Sequence, residues 1–159
     1  MSLSHLDAAG RARMVDVGRK PVTQRRAVAE GAVRMSAEAY RLVAEQNVGK
    51  GDVLAVSEVA GTMAAKRAAD LIPLCHPIAL DRVTVETTLD DGLPGVRVRA
   101  IVEAVGRTGV EMEALTGAAV ACLSVYDMVK SADRGMEILA VRLVEKTGGT
   151  RGDWRRTEV

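Results

Sequence analysis

The feature that most constrains the fold is a period-two alternation on both sides of a short polar turn. From Arg82 to Leu89, and again from Val96 to Ala104, apolar residues largely alternate with Arg, Thr and Glu. This alternation is typical of strands with one buried and one solvated face. The intervening segment, DDGLPG, is rich in the residues that favour turns. The sequence therefore predicts an antiparallel β-hairpin.

The N-terminal half predicts one strand followed by two helices. The segment RRAVAEGAVRM, from Arg25 to Met35, alternates as a strand does. Ser36 is a suitable N-cap for the helical segment SAEAYRLVAEQN, and Asp52 is suitable for the next helix. We expect that second helix to run without a break until Pro73 ends it.

The C-terminal half predicts a long helix and a last strand. Thr108 and Glu111 match a capping box, which predicts a helix from there to about Asp133. The segment MEILAVRLVEK predicts a strand that is apolar on both faces, so its second face needs a cover such as another subunit. The order β-α-α-β-β-α-β predicts an α+β, ferredoxin-like split β-α-β sandwich. We expect an antiparallel sheet with the helices on one face.

We expect one catalytic domain, since the chain has 159 residues and no internal repeat. Residues 1–13 are predicted to be a flexible N-terminal arm, in which His5 is interpreted as a solvated bystander. Residues 14–146 form the predicted domain. Residues 147–159, TGGTRGDWRRTEV, are Gly-rich and basic and are predicted to be a flexible tail.

Composition limits the possible partners. Aromatic residues make up 2% of the chain and Phe is absent, so the core must be built from small aliphatic side chains, which favours self-association. A net charge of +1 and the lack of stacking side chains argue against nucleic-acid and membrane partners. Two distant cysteines predict no disulfide framework. With no apolar run near the ~20 residues of a membrane span, we expect a cytoplasmic protein.

A segment bracketed by two prolines carries the first candidate group. Pro73 and Pro77 flank Leu74-Cys75-His76 and should hold these residues in a stiff, extended conformation. His76 is a candidate acid/base, against the alternative of an imidazole hydrogen-bonded to backbone. A zinc site lacks the usual ligand spacing, so no metal site is predicted. Cys75 could be a nucleophile, but a buried, inert thiol is the better interpretation.

The long helix carries a second group, spread along its length. Glu113 and Asp127 are about 21 Å apart along a helix axis, so one helix cannot bring both to one reacting atom. Either the ligand is long or two copies of the chain meet over it. Asp127 and Lys130 are neighbours at i, i+3. They form either a surface ion pair or a carboxylate that tunes a proton-donating lysine.

Scattered basic residues form the third group, and several lie at the predicted ends of helices or strands. This placement favours a small polyanionic ligand, although each residue alone is typical of a solvated surface. Gly49-Lys50-Gly51 does not complete a phosphate-binding P-loop. The residues concerned are Arg25, Lys50, Lys66, Lys130 and Lys146.

In combination these segments resemble the family of molybdenum cofactor biosynthesis protein C, the cyclic pyranopterin monophosphate synthases. The likeness extends from Met14 to about Asp153, and its most specific parts are DLIPLCHP and TGVEMEALT. The segments that carry it are MVDV from Met14, KGDV from Lys50, AAKR from Ala64, DLIPLCHP from Asp70, TGVEMEALT from Thr108, YDM from Tyr126 and KTGG from Lys146.

The resemblance implies an activity and an assembly. It implies a lyase that converts 3′,8-cyclo-7,8-dihydroguanosine 5′-triphosphate into cyclic pyranopterin monophosphate and diphosphate. It also implies a homohexamer, a trimer of dimers, with the active site at the dimer interface. No tightly bound cofactor is implied, and whether Mg²⁺ accompanies the triphosphate stays open.

The resemblance also implies residue roles. Asp127, Lys50 and Lys130 match catalytic residues, with Asp127 tuning Lys130 and the two lysines moving protons. His76, Arg25, Lys66 and Lys146 match positions that grip the triphosphate or assist the chemistry. The remaining expected substrate contacts are Leu74, Cys75, Glu111, Met112 and Glu113.

Two alternative classes of function remain. A non-catalytic ferredoxin-like module would bind a nucleotide or anion and regulate a partner without turnover. An RNA-binding ferredoxin-like domain needs aromatic residues on its sheet, and this chain has almost none.

Overall fold

The structure is a computed structural model that describes residues 9–46, 48–49 and 51–157. His5 and Lys50 lie outside the described residues. The strands are β1 (Thr23–Arg34), β2 (Arg82–Asp90), β3 (Gly95–Gly106), β4 (Glu137–Thr147) and β5 (Trp154–Arg155). The helices are α1 (Ala37–Ala44), α2 (Val53–Ala65), α3 (Ala68–Leu71) and α4 (Glu111–Val129).

One antiparallel sheet organises the chain, in the strand order β2-β3-β1-β4-β5. The predicted hairpin is confirmed: β2 and β3 pair from Arg82↔Glu103 to Asp90↔Gly95. The helices pack on one side of the sheet. The ferredoxin-like α+β fold is therefore confirmed, with β5 added at one edge.

The core is built from small side chains, as the composition requires. Ala27, Ala29 and Val33 of β1 are fully buried, as are Ala118 and Ala121 of α4. The period of two along β1 places the odd-numbered residues of the central strand toward the helices.

Helices α2 and α4 approach closely through two glycines. A Cβ added to Gly61 of α2 would lie 2.8 Å from the carbonyl oxygen of Gly117 in α4, closer than real Cβ atoms come. Small residues of α4 thus allow its close packing against α2.

Helix α4 is long and apolar enough to pass a membrane-span test by length and composition alone. It has 19 residues and a mean hydropathy of 1.3, and half of this stretch is buried inside the fold. The central helix of a globular domain passes the same test, so its apolar character is explained by its packing on the sheet.

The prediction that Thr108 and Glu111 form a capping box is wrong. Val110, not Thr108, is the N-cap of α4, no side chain caps the helix, and Glu111 is its first residue. The helix also ends earlier than predicted, with Lys130 as its C-cap. Asp133 instead accepts hydrogen bonds from the N–H groups of Ser36 and Gly135, both at 2.7 Å, which holds it in a turn.

The predicted unbroken second helix is in fact two helices. The N-caps Ser36 and Asp52 are confirmed, because each side chain accepts a hydrogen bond from the N–H three residues later. Helix α2 ends at Ala65, and Arg67 leaves the helical region with φ −116° before α3 begins. This break turns the chain toward the proline-bracketed segment.

The basic C-terminal segment, expected to be flexible, has a defined strand within it. Trp154 and Arg155 form β5, which pairs with Lys146 and Glu145 of β4. Arg156 extends this edge, since its backbone N–H donates to the carbonyl of Val144 at 2.8 Å. The edge of β4 is therefore partly covered by the chain's own end.

Candidate active site

A cavity of about 840 Å³ opens at the N-terminal end of α4. Its walls come from the proline-bracketed segment, the start of β1, the end of β4 and the loop that follows β4. Seven of the predicted site residues line it: Arg25, Leu74, Cys75, His76, Glu111, Met112 and Lys146. Residues far apart in the sequence are thus brought into one cavity.

The proline-bracketed segment is a turn followed by a stretch without regular secondary structure. The N–H of Cys75 donates to the carbonyl of Ile72 at 3.0 Å, which closes a turn through Pro73 and Leu74. The expectation of an extended segment from Leu74 is therefore wrong at its first residue. Cys75 and His76 follow the turn and are half-buried on the cavity wall.

Cys75 faces a buried carboxyl group. Its Sγ lies 3.5 Å from Oε1 of Glu113, in position for the thiol to donate. Burial first, and then the charge of Glu113, raises the pKa of the Cys75 thiol to about 11. The thiol therefore stays protonated at neutral pH, which argues against a nucleophilic role.

Glu113 lies behind Cys75 rather than among the lining residues. It is 3% exposed, and its Oε2 has no hydrogen-bond partner among the described residues. Burial raises the pKa of this carboxyl group above its ordinary value. An unpaired buried polar atom costs free energy in a fold, and such atoms are often retained at functional sites.

Two adjacent arginines at the start of β1 have opposite environments. Arg25 is 8% exposed, its Nε donates to the carbonyl of Gly106 at 3.2 Å, and no carboxylate among the described residues pairs with it. Arg26 forms ion pairs with Glu145 and, at 3.6 Å, with Glu103. Arg25 is therefore available to an external anion, whereas the charge of Arg26 is already compensated by two carboxylates.

Lys146 ends β4 beside the same cavity. Its Nζ donates to the carbonyl oxygens of Gly152 and, at 3.5 Å, of Gly148. The ammonium group is thus held by the loop that follows the strand. Its contact to a polyanion stays a prediction, and the structure places the residue in the cavity lining.

Three of the other predicted residues do not lie at this cavity. Lys66 is an exposed C-cap of α2 and is absent from the lining. Asp127 and Lys130 form an ion pair of 2.6 Å at the far end of α4. There Lys130 lines a second, smaller cavity of about 340 Å³ with Tyr126, Ser131 and Arg134.

Four further cations line the main cavity and were not predicted. They are Lys20, Arg26, Arg107 and Arg151. Three of them lie close to a segment that was singled out: Lys20 follows MVDV, Arg107 precedes TGVEMEALT, and Arg151 follows KTGG, while Arg26 adjoins Arg25. A search for cations flanking the motifs would have found them, whereas their side-chain types alone are typical of solvated surface.

Among residues 9–46, 48–49 and 51–157, no group of three or more His, Cys, Asp or Glu side chains could hold a metal ion. The polar chemistry of the main cavity is instead cationic. It consists of the buried Arg25, the tethered Lys146 and the further arginines and lysine. This arrangement suits a phosphate-bearing ligand, because guanidinium and ammonium groups both bind phosphate oxygens.

Comparison with known proteins agrees with this geometry. The chain is 59% identical over 152 residues to cyclic pyranopterin monophosphate synthases of Brucella ovis and of Brucella abortus (strain 2308). These matches cover 96% of this chain and 92% of each relative. The Brucella canis protein of the same name is 58% identical over the same length. Residues 14–149 match the model of the MoaC family, and the chain belongs to that family.

Proposed function

We propose that this chain is a cyclic pyranopterin monophosphate synthase that acts in molybdenum cofactor biosynthesis. The substrate we propose is 3′,8-cyclo-7,8-dihydroguanosine 5′-triphosphate, and the second product is diphosphate. Family membership and the names of the relatives support the activity. The observation in this chain that carries the proposal is the cationic cavity, in which Arg25 is buried without a carboxylate partner among the described residues.

Arg25, His76 and Lys146 hold the triphosphate in this proposal. The positive charges of Arg25 and Lys146 and the hydrogen-bond donors of all three would stabilise the charge that develops as diphosphate leaves. The N-terminus of α4 also opens on the cavity through Glu111 and Met112, and its unpaired backbone N–H groups favour an anion. The reaction forms one phosphorus–oxygen bond in the cyclic phosphate and breaks another, which is the lyase class we propose.

In this proposal, residues at the C-terminal end of α4 carry out the proton transfers. Asp127 holds the ammonium group of Lys130 at 2.6 Å and would orient it as a proton donor. Lys50 is the second proposed proton carrier, and Lys66 is a proposed contact from outside the cavity lining. Since Asp127 is about 21 Å from Glu113 along α4, the two ends would meet only between subunits.

A homohexamer, built as a trimer of dimers, is therefore part of the proposal. Exposed apolar side chains on the helices support it: Val56, Val59 and Met63 of α2 and Leu123 of α4. Burying such a surface between copies would add to a core that lacks aromatic residues. Light scattering should then give a mass about six times the 16.9 kDa of the chain.

We propose the cytoplasm as the compartment, where thiols such as Cys75 and Cys122 stay reduced. The proposal includes no tightly bound cofactor, and Mg²⁺ would enter as a companion of the triphosphate. Parallel assays with added Mg²⁺ and with EDTA test that point.

The decisive experiment supplies the purified protein with GTP and the radical cyclase that forms the cyclised nucleotide. The products are then oxidised and assayed for a fluorescent pterin, with a reaction that omits this protein as the baseline. Fluorescent product only in the complete reaction supports the synthase. Binding of diphosphate without any product would instead favour the non-catalytic anion-binding module.

Arg25→Ala is the informative variant in this assay, because Arg25 is the buried cation of the cavity. Arg41→Ala is its matched control, since Arg41 is an exposed arginine in the last turn of α1. We expect the first variant to lose product formation and the second to keep it.

A further inference from the structure

The loop after β4 approaches the cavity with two consecutive glycines. Gly148 and Gly149 have φ values of +84° and +86°, in the left-handed region that other residues seldom adopt. Both also lack the space for a side chain. A Cβ on Gly148 would overlap the backbone oxygen of Gln24, whereas one on Gly149 would overlap Nη1 of Arg25 and lie 3.0 Å from its Cζ.

Gly149 therefore forms one wall of the space that the Arg25 guanidinium occupies. On another side, the Arg25 Nε donates to the carbonyl of Gly106 at 3.2 Å. The atoms that a Gly149 side chain would displace are the far end of a flexible side chain. A substitution at Gly149 can thus be absorbed by moving the guanidinium, with the backbone of the loop left in place.

The loop itself is held at both ends. The N–H of Gly148 donates to Oδ1 of Asp153 at 2.9 Å, and the N–H of Gly152 donates to the carbonyl of Gly149 at 3.2 Å. Lys146 adds hydrogen bonds from its ammonium group to the carbonyls of Gly148 and Gly152. Gly149 is consequently a fixed surface against which Arg25 rests.

We infer that Gly149 is a positioning residue that sets the place of the Arg25 guanidinium for binding the polyphosphate of the substrate. The inference rests on the proposed function, since it assigns Arg25 to the triphosphate. A guanidinium binds two phosphate oxygens only in a defined orientation. Moving it by the width of a methyl group would break that geometry while leaving the charge in the cavity.

The test compares Gly149→Ala with Gly152→Ala. Gly152 lies in the same loop with φ +70°, and an added Cβ there would meet nothing within 4 Å. Both variants share the cost of a positive φ, and only the first pushes on Arg25. Relative to Gly152→Ala, we expect Gly149→Ala to raise KM and the Kd of inorganic diphosphate by about tenfold, with a smaller change in kcat.

A double-mutant cycle with Arg25→Lys tests whether the effect passes through Arg25. A lysine at position 25 has no guanidinium in the space that a Gly149 side chain would occupy. Gly149→Ala should therefore add little to the loss of diphosphate affinity caused by Arg25→Lys. If Gly149→Ala lowers the diphosphate affinity equally in the wild-type protein and in the Arg25→Lys protein, the inference is overturned. If Gly149→Ala alone does not fold, the double variant should recover folding, and its failure to do so would also count against the inference.

The outcomes separate this inference from the proposed function. A wild-type protein that forms no pterin product would overturn the function. An active wild-type protein whose Gly149→Ala and Gly152→Ala variants have equal KM and equal diphosphate affinity would overturn the role of Gly149 alone.

Discussion

The two ends of α4 place acidic side chains in opposite environments. At the N-terminal end, Glu113 is 3% exposed and accepts from the thiol of Cys75. At the C-terminal end, the side chains of Asp127 and Lys130 are 61% and 52% exposed and form an ion pair. One helix therefore carries a buried carboxyl group beside a large cavity and an exposed one beside a small cavity.

This difference between the two ends shows how one helix could supply residues to two different active sites in the proposed assembly. Burial raises the pKa of Glu113, and that end of α4 holds a buried carboxyl group behind the cationic cavity. In the proposed assembly, the exposed Asp127 and Lys130 would face a second subunit and exchange protons with the substrate bound there. Binding and proton transfer are thus assigned to different ends, and the following experiments test that division.

The largest effect is expected at the exposed end. Asp127→Ala should lower kcat by about 10²–10⁴-fold, the range typical of a lost proton-transfer group, and leave the thermal stability nearly unchanged. Glu137→Ala is the matched control, because it removes an exposed ion pair of 2.6 Å with Arg34 outside both cavities. Product formation at the wild-type rate by Asp127→Ala would remove this end of α4 from the site.

Mixing two inactive variants tests whether the ends meet between subunits. If Arg25→Ala and Asp127→Ala chains are co-expressed and pair at random, about a quarter of the sites should contain neither substitution. The activity of the mixture should rise to roughly that fraction of the wild-type value. A mixture as inactive as its two components would mean that each site is built within one chain.

A smaller effect is expected at the N-terminal end of α4, where Glu113 is buried. It should appear in the pH dependence of the free energy of unfolding. The pKa of Glu113 is raised in the folded chain above its ordinary value of 4.5. Between these two pKa values the folded chain binds more protons than the unfolded chain, so the free energy of unfolding should fall as pH rises through that window. Glu113→Gln should remove this contribution. Urea unfolding curves over a pH series measure the slope, and identical slopes in both proteins would contradict the assignment.

The smallest effect is expected at Cys75. A thiol with a pKa of about 11 is not a thiolate at neutral pH, so Cys75→Ser should keep kcat within about an order of magnitude. The serine hydroxyl can still donate to Glu113. Slow alkylation of Cys75 by iodoacetamide at pH 7, with an increase toward pH 11, is the accompanying measurement. Complete loss of activity in Cys75→Ser would revive the nucleophilic hypothesis.

Much of the fold follows from local patterns. The hairpin was predictable because its alternation and its turn residues both lie within 23 residues, Arg82 to Ala104. The caps at Ser36 and Asp52 were predictable because a side chain and an N–H three residues away decide them. The pattern at Thr108 and Glu111 failed because it describes only a local preference, and the helix instead starts at Glu111.

The types of residue in the candidate site were predictable from the sequence. Which of these residues lie together in one cavity was only partly predictable. The spacing along α4 was enough to show that Glu113 and Asp127 of one helix cannot both reach one reacting atom. The four additional cations of the cavity were missed, because nothing in the residue type of Lys20, Arg107 or Arg151 separates it from a surface residue.

The sequence by itself determined the order of the longer strands and helices, the small-residue core and the family resemblance, because these depend on periodicity, composition and contiguous motifs. Only the tertiary structure decided that Arg25 is buried without a carboxylate partner among the described residues, while Arg26 is paired. Only the tertiary structure placed Gly149 against the Arg25 guanidinium, 124 positions away in the chain. The physical reason is that pairing, burial and close approach are properties of groups that meet across the sheet, and no local pattern encodes which distant group will be the neighbour.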